Sequence, residues 1–324
     1  MNTKFKNAAR RVPQNCPPIW FMRQAGRYHS HYQKLKEKYT FDQLSKNPEL
    51  AAEVALGPIQ EFDFDVSILF SDIVYPFQGL GLELDFDPGP KFNELITKEN
   101  YERYFDIDKA LEFMQFQAEA IKATREVLPA DKSLIGFVAG PWTLMHYGVD
   151  QNSHVDFKQY YLKEVIVPLL QGNIELQLAA GAEKVLMIDS GLQTMGRTFL
   201  RDYYSGLLNE LVNPDIGYYA KGITTDISHL VLNKMWGGVG FDATIDIKHI
   251  MDNKKDGFIQ GNFDQNFMLL PEDRFKGKVE EFIEQMKGVE DRTGWVCGLG
   301  HGIDKRTPEE RVHYFIERIR TEFS

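Results

Sequence analysis

The run Val66-Ser67-Ile68-Leu69-Phe70-Ser71-Asp72 decides the fold. Its first five residues are largely apolar, too few for a helix, and a serine and an aspartate cut them off, as at a buried strand that ends in a polar loop. The same pattern returns at 19–22, 134–138, 185–188, 216–220, 239–241, 258–260 and 295–297. Between these runs lie segments of helical period near 48–62, 109–128, 155–180, 196–212, 226–235, 245–253, 276–287 and 308–322. Two helix starts carry a capping residue before a proline and acids in the first turn, at Asn47-Pro48-Glu49 and Thr307-Pro308-Glu309-Glu310. Short strands alternating with longer helices predict a parallel sheet with crossover helices. Eight such units predict an α/β fold, a single (β/α)8 TIM-type barrel, with a doubly wound open sheet as the alternative. No linker-like composition shift divides the 324 residues, so one domain is expected over 1–324.

In a barrel the residues that follow the strands gather at the C-terminal face, where barrel enzymes carry their sites. Here they are Arg23, Ser71-Asp72, Gly140-Pro141-Trp142, Asp189-Ser190, Lys221, Asp242, Asn262 and His301. Charge is distributed unevenly around this plan. Residues 1–38 hold nine Lys or Arg and one acid, a net of +8, while the remainder holds 28 basic and 46 acidic residues, a net of −18. A globally acidic chain does not attract nucleic acid, yet a local basic patch can capture a small polyanion. Residues 1–15 read as a mobile basic arm. The chain has no apolar stretch near 18 residues and no signal-like apolar run behind its first lysines, so no membrane partner is expected. Two cysteines, Cys16 and Cys297, suit a reducing compartment, and the protein is expected in the cytoplasm.

Individual residues leave alternatives open. Arg23 and Arg27, four apart after Ile19-Trp20-Phe21-Met22, suit bidentate capture of carboxylate or phosphate, or a structural ion pair at a barrel rim. Asp72 reads equally as a catalytic carboxylate and as a cap for the next turn. Tyr147, beside His146, suits core packing as well as a site. Ser190 lacks the G-x-S-x-G frame of a hydrolase elbow. His301 sits among Gly298, Gly300 and Gly302, whose spacing misses the dinucleotide turn by one residue. Cys297 and His301 are too few for zinc, and no metal is expected.

Taken together, Trp20-Phe-Met-Arg-Gln-Ala-Gly-Arg-Tyr28, Leu69-Phe-Ser-Asp-Ile73, Gly140-Pro-Trp-Thr-Leu144, Gln260-Gly-Asn-Phe-Asp264 and Leu299-Gly-His-Gly-Ile303 resemble the uroporphyrinogen decarboxylase family. The resemblance implies a somewhat distorted barrel, a homodimer, no cofactor, and removal of four acetate carboxylates from the small-molecule substrate uroporphyrinogen in haem biosynthesis. It further implies that Arg23 and Arg27 hold substrate carboxylates, that Asp72 accepts the pyrrole N–H groups, and that Tyr147, Ser190 and His301 line the cleft. Arg23, Tyr147 and His301 are the alternatives for the proton donor. The chain departs from the family pattern at Gly191-Leu192-Gln193, at Gly240-Phe241-Asp242-Ala243 and at Asp87-Pro88-Gly89-Pro90. The rivals are a zinc- and corrinoid-dependent methyltransferase of the same superfamily, which needs a His-x-Cys pair and a second cysteine, and a non-catalytic tetrapyrrole-binding protein.

Overall fold

The structure, a computed structural model, describes residues 1–86 and 89–324. Among the described residues, seven parallel strands form one curled sheet, with neighbours in chain order. They are β1 (Val66–Ile68), β2 (Ser133–Ala139), β3 (Val185–Asp189), β4 (Ile216–Ala220), β5 (Gly238–Phe241), β6 (Phe258–Gln260) and β7 (Trp295–Val296). Their side chains are buried on both faces, which is why the sequence shows nearly continuous apolar runs rather than alternation. The two faces still differ. Val66, Ile68, Ile135, Leu186, Ile188, Tyr219, Phe258 and Val296 pack together inside the curl. Val185, Met187, Tyr218, Val239 and Ile259 pack outward against the helices.

The eighth expected strand, 19–22, is not a strand. It makes one parallel bridge, Ile19 with Cys297, although it lies between the two edges of the sheet and bonds to both. Trp20 N donates to Cys297 O at 3.0 Å on the β7 side, and Asp65 N donates to Ile19 O at 3.1 Å on the β1 side. The ladder stops because Pro17 and Pro18 have no N–H to give. Side chains supply what the backbone lacks. Asp65 accepts Ile19 N at 2.9 Å, and the buried Gln24 donates from Nε2 to Val66 O at 2.9 Å while its Oε1 accepts Phe21 N at 3.3 Å. The architecture is consistent with a TIM-type barrel whose first stave is stitched by side chains.

The helices follow the sequence where caps are local. Pro48–Phe62 begins at Asn47, whose side chain accepts Leu50 N at 2.9 Å. At the last helix, Glu309–Glu322, the cap residue is Pro308 and the Thr307 hydroxyl is buried without a partner, so the expected threonine cap is not made. The expected helix 109–128 divides at Met114, and 226–235 contains only His229–Leu232.

The reading of 1–15 as a mobile arm is corrected. Thr3–Ala9 is a helix capped by Asn2, and Phe5 and Ala8 are buried in the inner cluster, with Phe5 5.5 Å from the Phe258 ring. Asn2 N donates to Ser133 Oγ at 2.8 Å, its Nδ2 to Asp131 O at 2.7 Å, and Lys4 pairs with Asp65 at 3.3 Å. These partners stand at the N-terminal ends of β1 and β2, so the helix plugs the bottom of the curl, opposite the mouth. A single aromatic among basic residues carried the docking, and charge counting hides it. Phe5→Ala is therefore expected to lower the free energy of unfolding by about 3–5 kcal/mol in urea titration; an unchanged midpoint would mean that the plug does not hold.

Candidate functional site

Arg23 follows the first stave directly, and its backbone is left-handed, at φ 63°. That conformation costs a non-glycine residue about 1 kcal/mol or more, and the turn around it supplies the compensation. Gln24 N donates to Phe21 O at 3.0 Å, and the Tyr28 hydroxyl donates to Gln24 O at 2.8 Å. The arginine stem lies across Gly302, where a Cβ would stand 2.5 Å from Arg23 Cδ. Any side chain at 302 would displace it. Arg27, one turn on, is exposed, and among the described residues neither guanidinium forms an ion pair or hydrogen bond with another side chain.

Asp72 ends the loop after β1. Its Oδ1 accepts Val74 N at 3.0 Å, and its carboxylate also receives the Ile73 N–H. Burial pushes its pKa up to about 6, against those two backbone donors and the positive charge of Arg23, which favour ionisation. No side chain donates to it among the described residues, so acceptor capacity remains for a ligand.

His301 enters from the loop after β7. Its Nδ1 lies 3.1 Å from the Tyr219 hydroxyl, and the two rings stack at 5.9 Å between centroids and 15° between planes. The imidazole pKa falls to about 4, first through burial and then through the charges of Lys221 and Arg23. Lys221, the residue after β4, is half-buried, and among the described residues its ammonium meets no carboxylate. Arg23 thus links Asp72 and His301 electrostatically at one end of the sheet. Sequence reasoning placed Lys221 at this face without assigning it a role, and it missed Tyr219, which a strand pattern marks only as buried.

The third strand end is built differently. Asp189 is fully buried, and burial raises its pKa. Thr143 donates to its Oδ1 from N at 2.9 Å and from Oγ1 at 2.8 Å, while the Tyr218 hydroxyl donates to Oδ2 at 2.8 Å and the Tyr204 hydroxyl does so as well. With four donors this carboxylate has no capacity left for a ligand. Gly140 is required beside it, because a Cβ there would lie 2.3 Å from Asp189 Cγ.

A sequence profile of the family described as Uroporphyrinogen decarboxylase (URO-D) matches residues 1–322. The chain belongs to the uroporphyrinogen decarboxylase family. A relative named uroporphyrinogen decarboxylase from Geobacter sp. (strain M21) is 32% identical over 339 residues, covering 98% of each chain. One of the same name from Geotalea uraniireducens (strain Rf4) is 31% identical with the same coverage. Among solved structures, a methyltransferase from Methanosarcina mazei superposes with a TM-score of 0.80 at 19% identity, over 99% of this chain and 98% of that one. A putative vitamin-B12 independent methionine synthase from Listeria monocytogenes reaches 0.58 at 13% identity, over 96% and 98%. These structures share the fold.

Within this family member the other expected site residues make no hydrogen bond or ion pair with Arg23, Asp72 or His301 among the described residues. Tyr147 is exposed on the helix Pro141–Gly148, and its ring contact is with His146 at 6.2 Å. Ser190 is half-buried after Asp189, and its hydroxyl makes no hydrogen bond among the described residues. Gly191 N donates to Thr143 Oγ1 at 2.9 Å, so the departure from the family pattern at 191–193 is anchored to the Asp189 network. Asp242 accepts Gly222 N at 3.2 Å and Thr244 Oγ1 at 2.7 Å, which gives it a loop-holding part. The departure at 87–90 lies partly outside the described residues, since Asp87 and Pro88 are not among them. Among the described residues no three His, Cys, Asp or Glu side chains are grouped to hold a metal ion, and no helix is long and apolar enough to cross a membrane. Two surface hollows, one around Phe62, His313 and Arg320 and one around His229, Lys234 and Met235, lie on the outer helices away from this group.

The raised Asp72 pKa has a sign that can be measured. An unfolded aspartate titrates near its ordinary value of 3.8 and the folded one near 6, so between these values the native chain holds more protons. Asp72 therefore contributes stability that is full below about pH 4 and is lost as pH rises through about 6. Asp72→Asn removes this charge burden. Allowing for water at a half-buried group, the variant is expected to be more stable than the parent by about 1 kcal/mol at pH 7.5 and equal to it below pH 4 in urea unfolding. A less stable variant at pH 7.5 would make the carboxylate a structural cap.

Proposed function

We propose that this protein removes the four acetate carboxylates of uroporphyrinogen, leaving methyl groups and yielding coproporphyrinogen. The observation that carries the reading is Asp72, a recessed carboxylate with spare acceptor capacity beside the unpaired Arg23, in a chain of the uroporphyrinogen decarboxylase family. An ionised aspartate has about four lone-pair sites, which suits converging pyrrole N–H donors. The substrate's eight carboxylates suit the cationic side of the mouth, where Arg23, Arg27 and Lys221 carry no carboxylate partner among the described residues.

Loss of carbon dioxide leaves an electron pair that needs a sink. Protonation of the pyrrole carbon next to an acetate arm makes the ring cationic. The C–C bond to the carboxylate then breaks, its electrons flow into the ring, and carbon dioxide leaves. A proton added to the exocyclic methylene completes the methyl group as the ring carbon gives up its own, so each arm takes up one proton in all. Asp72 acts electrostatically, with its charge held in place under the ring before the cation develops. Arg23 and Arg27 orient the substrate through its carboxylates, and orientation lowers the barrier by removing the entropy of encounter. His301 is neutral in the free protein near pH 7, so it donates a proton only after bound carboxylates have raised its pKa. Tyr147 and Ser190 hold outer carboxylate arms.

Incubation of the purified protein with uroporphyrinogen under anaerobic conditions is expected to give coproporphyrinogen and carbon dioxide without added cofactor. Tight binding without release of carbon dioxide would make it a tetrapyrrole carrier. Arg27→Ala is expected to weaken binding about tenfold, with an effect that shrinks as salt is raised. Unchanged affinity would remove Arg27 from the substrate site.

A further inference from the structure

The end of β4 supplies two groups to the mouth, Tyr219 and Lys221. Tyr219 is fully buried, and its pKa is raised well above the ordinary tyrosine value, first by burial and then by Asp242. It therefore holds one proton. That proton is committed, because the hydroxyl lies 2.8 Å from Gly300 O, which can only accept. The same hydroxyl lies 3.1 Å from His301 Nδ1, so its oxygen must accept there and Nδ1 must carry hydrogen. Nε2 is then the nitrogen left with a lone pair. Stacking of the two rings holds the imidazole in this orientation.

The charged and titratable groups around His301 come from each neighbouring element. Arg23 lies on the side of the first stave, Tyr219 on β4 with Lys221 directly after it, and Asp242 after β5, where it faces Tyr219 and packs by its backbone on Gly300. Asp242 is already engaged by Gly222 N and Thr244 Oγ1. The two cations, an exposed Arg23 and a half-buried Lys221, are not engaged by any carboxylate among the described residues, which leaves a positive corner with a neutral imidazole in it.

We propose that Lys221 is a carboxylate-binding residue and Tyr219 a positioning residue, so that one carboxylate arm of the ligand binds between Lys221 and Arg23 while His301 takes a proton from solvent at Nε2. The inference rests on the tetrapyrrole reading for the ligand's identity. A carboxylate in the corner offsets the two positive charges and repels a lone pair, and both effects favour the imidazolium. With Nδ1–H fixed on Tyr219, the incoming proton has one nitrogen to occupy, and the resulting Nε2–H donates to the carboxylate.

The test uses coproporphyrinogen, which bears carboxylate arms and keeps all four pyrrole N–H groups, as the probe under anaerobic conditions, with calorimetry in two buffers of different ionisation heat. Wild-type protein is expected to take up a fraction of a proton on binding, and its affinity is expected to rise as pH falls from 8 to 6. Lys221→Met should weaken binding about tenfold. In the ligand-free variant it should also raise the His301 titration midpoint followed by nitrogen NMR. Tyr219→Phe should turn the single tautomer pattern of His301 into a mixture, and Lys221→Met, at a half-buried site, keeps the proposal testable if the buried variant does not fold. Wild-type binding with an inert Lys221→Met, or an unchanged tautomer pattern in folded Tyr219→Phe, overturns this inference alone. Absence of coproporphyrinogen binding by the wild type, with His301 still responding to both substitutions, overturns the tetrapyrrole reading instead.

Discussion

Everything at the mouth depends on how the segment 17–26 is held. It must fill the gap between the two edges of the curled sheet, and it must also end in a turn that presents a guanidinium. Two prolines prevent an ordinary ladder, so Asp65 and Gln24 make the lateral bonds with their side chains. That arrangement frees the backbone to turn sharply at Arg23 in the left-handed region, and Gly302 clears the space for the arginine stem. From there one positive charge reaches Asp72 on one side and His301 on the other. A regular strand through Arg23 would have pointed alternate side chains into and out of the curl.

Two recessed carboxylates at strand ends show how similar residues diverge. Asp189 is saturated by a backbone N–H and three hydroxyls, and it fastens β3, β4 and the helix after β2 to one another. Asp72 receives two backbone N–H groups and keeps the rest of its acceptor capacity unused. Burial raises both pKa values, but the first group is structural by saturation and the second is available by omission. The count of donors separates the two roles where burial alone does not.

What was legible in the sequence was local. The helix Pro48–Phe62 coincides with its reading because asparagine, proline and glutamate mark its start, and β4 and β6 coincide with theirs because short apolar runs end in polar residues. The apolar residues of the first stave predict a strand, while its lateral side-chain bonds reach 42 and 46 positions along the chain, from the Gln24 side chain to Val66 O and from Ile19 N to the Asp65 carboxylate. The docked N-terminus was hidden for the same reason, since Phe5 meets Phe258 only in the fold. At the site, the loops carrying Arg23, Asp72 and His301 could be listed from strand ends, whereas the Tyr219 contact with His301 spans 82 positions and leaves no periodic trace.

The role proposed for Asp72 requires its carboxylate to be ionised when the chain acts on its substrate. The dependence of kcat/KM on pH, measured for the wild type and for Asp72→Asn with uroporphyrinogen, addresses it most directly, because that ratio reports groups of the free protein. The wild type should lose activity on the acid side with a midpoint near 6, the value to which burial raises Asp72. The residual activity of the variant should lack that limb. An acid limb near 6 that persists in Asp72→Asn would contradict the claim.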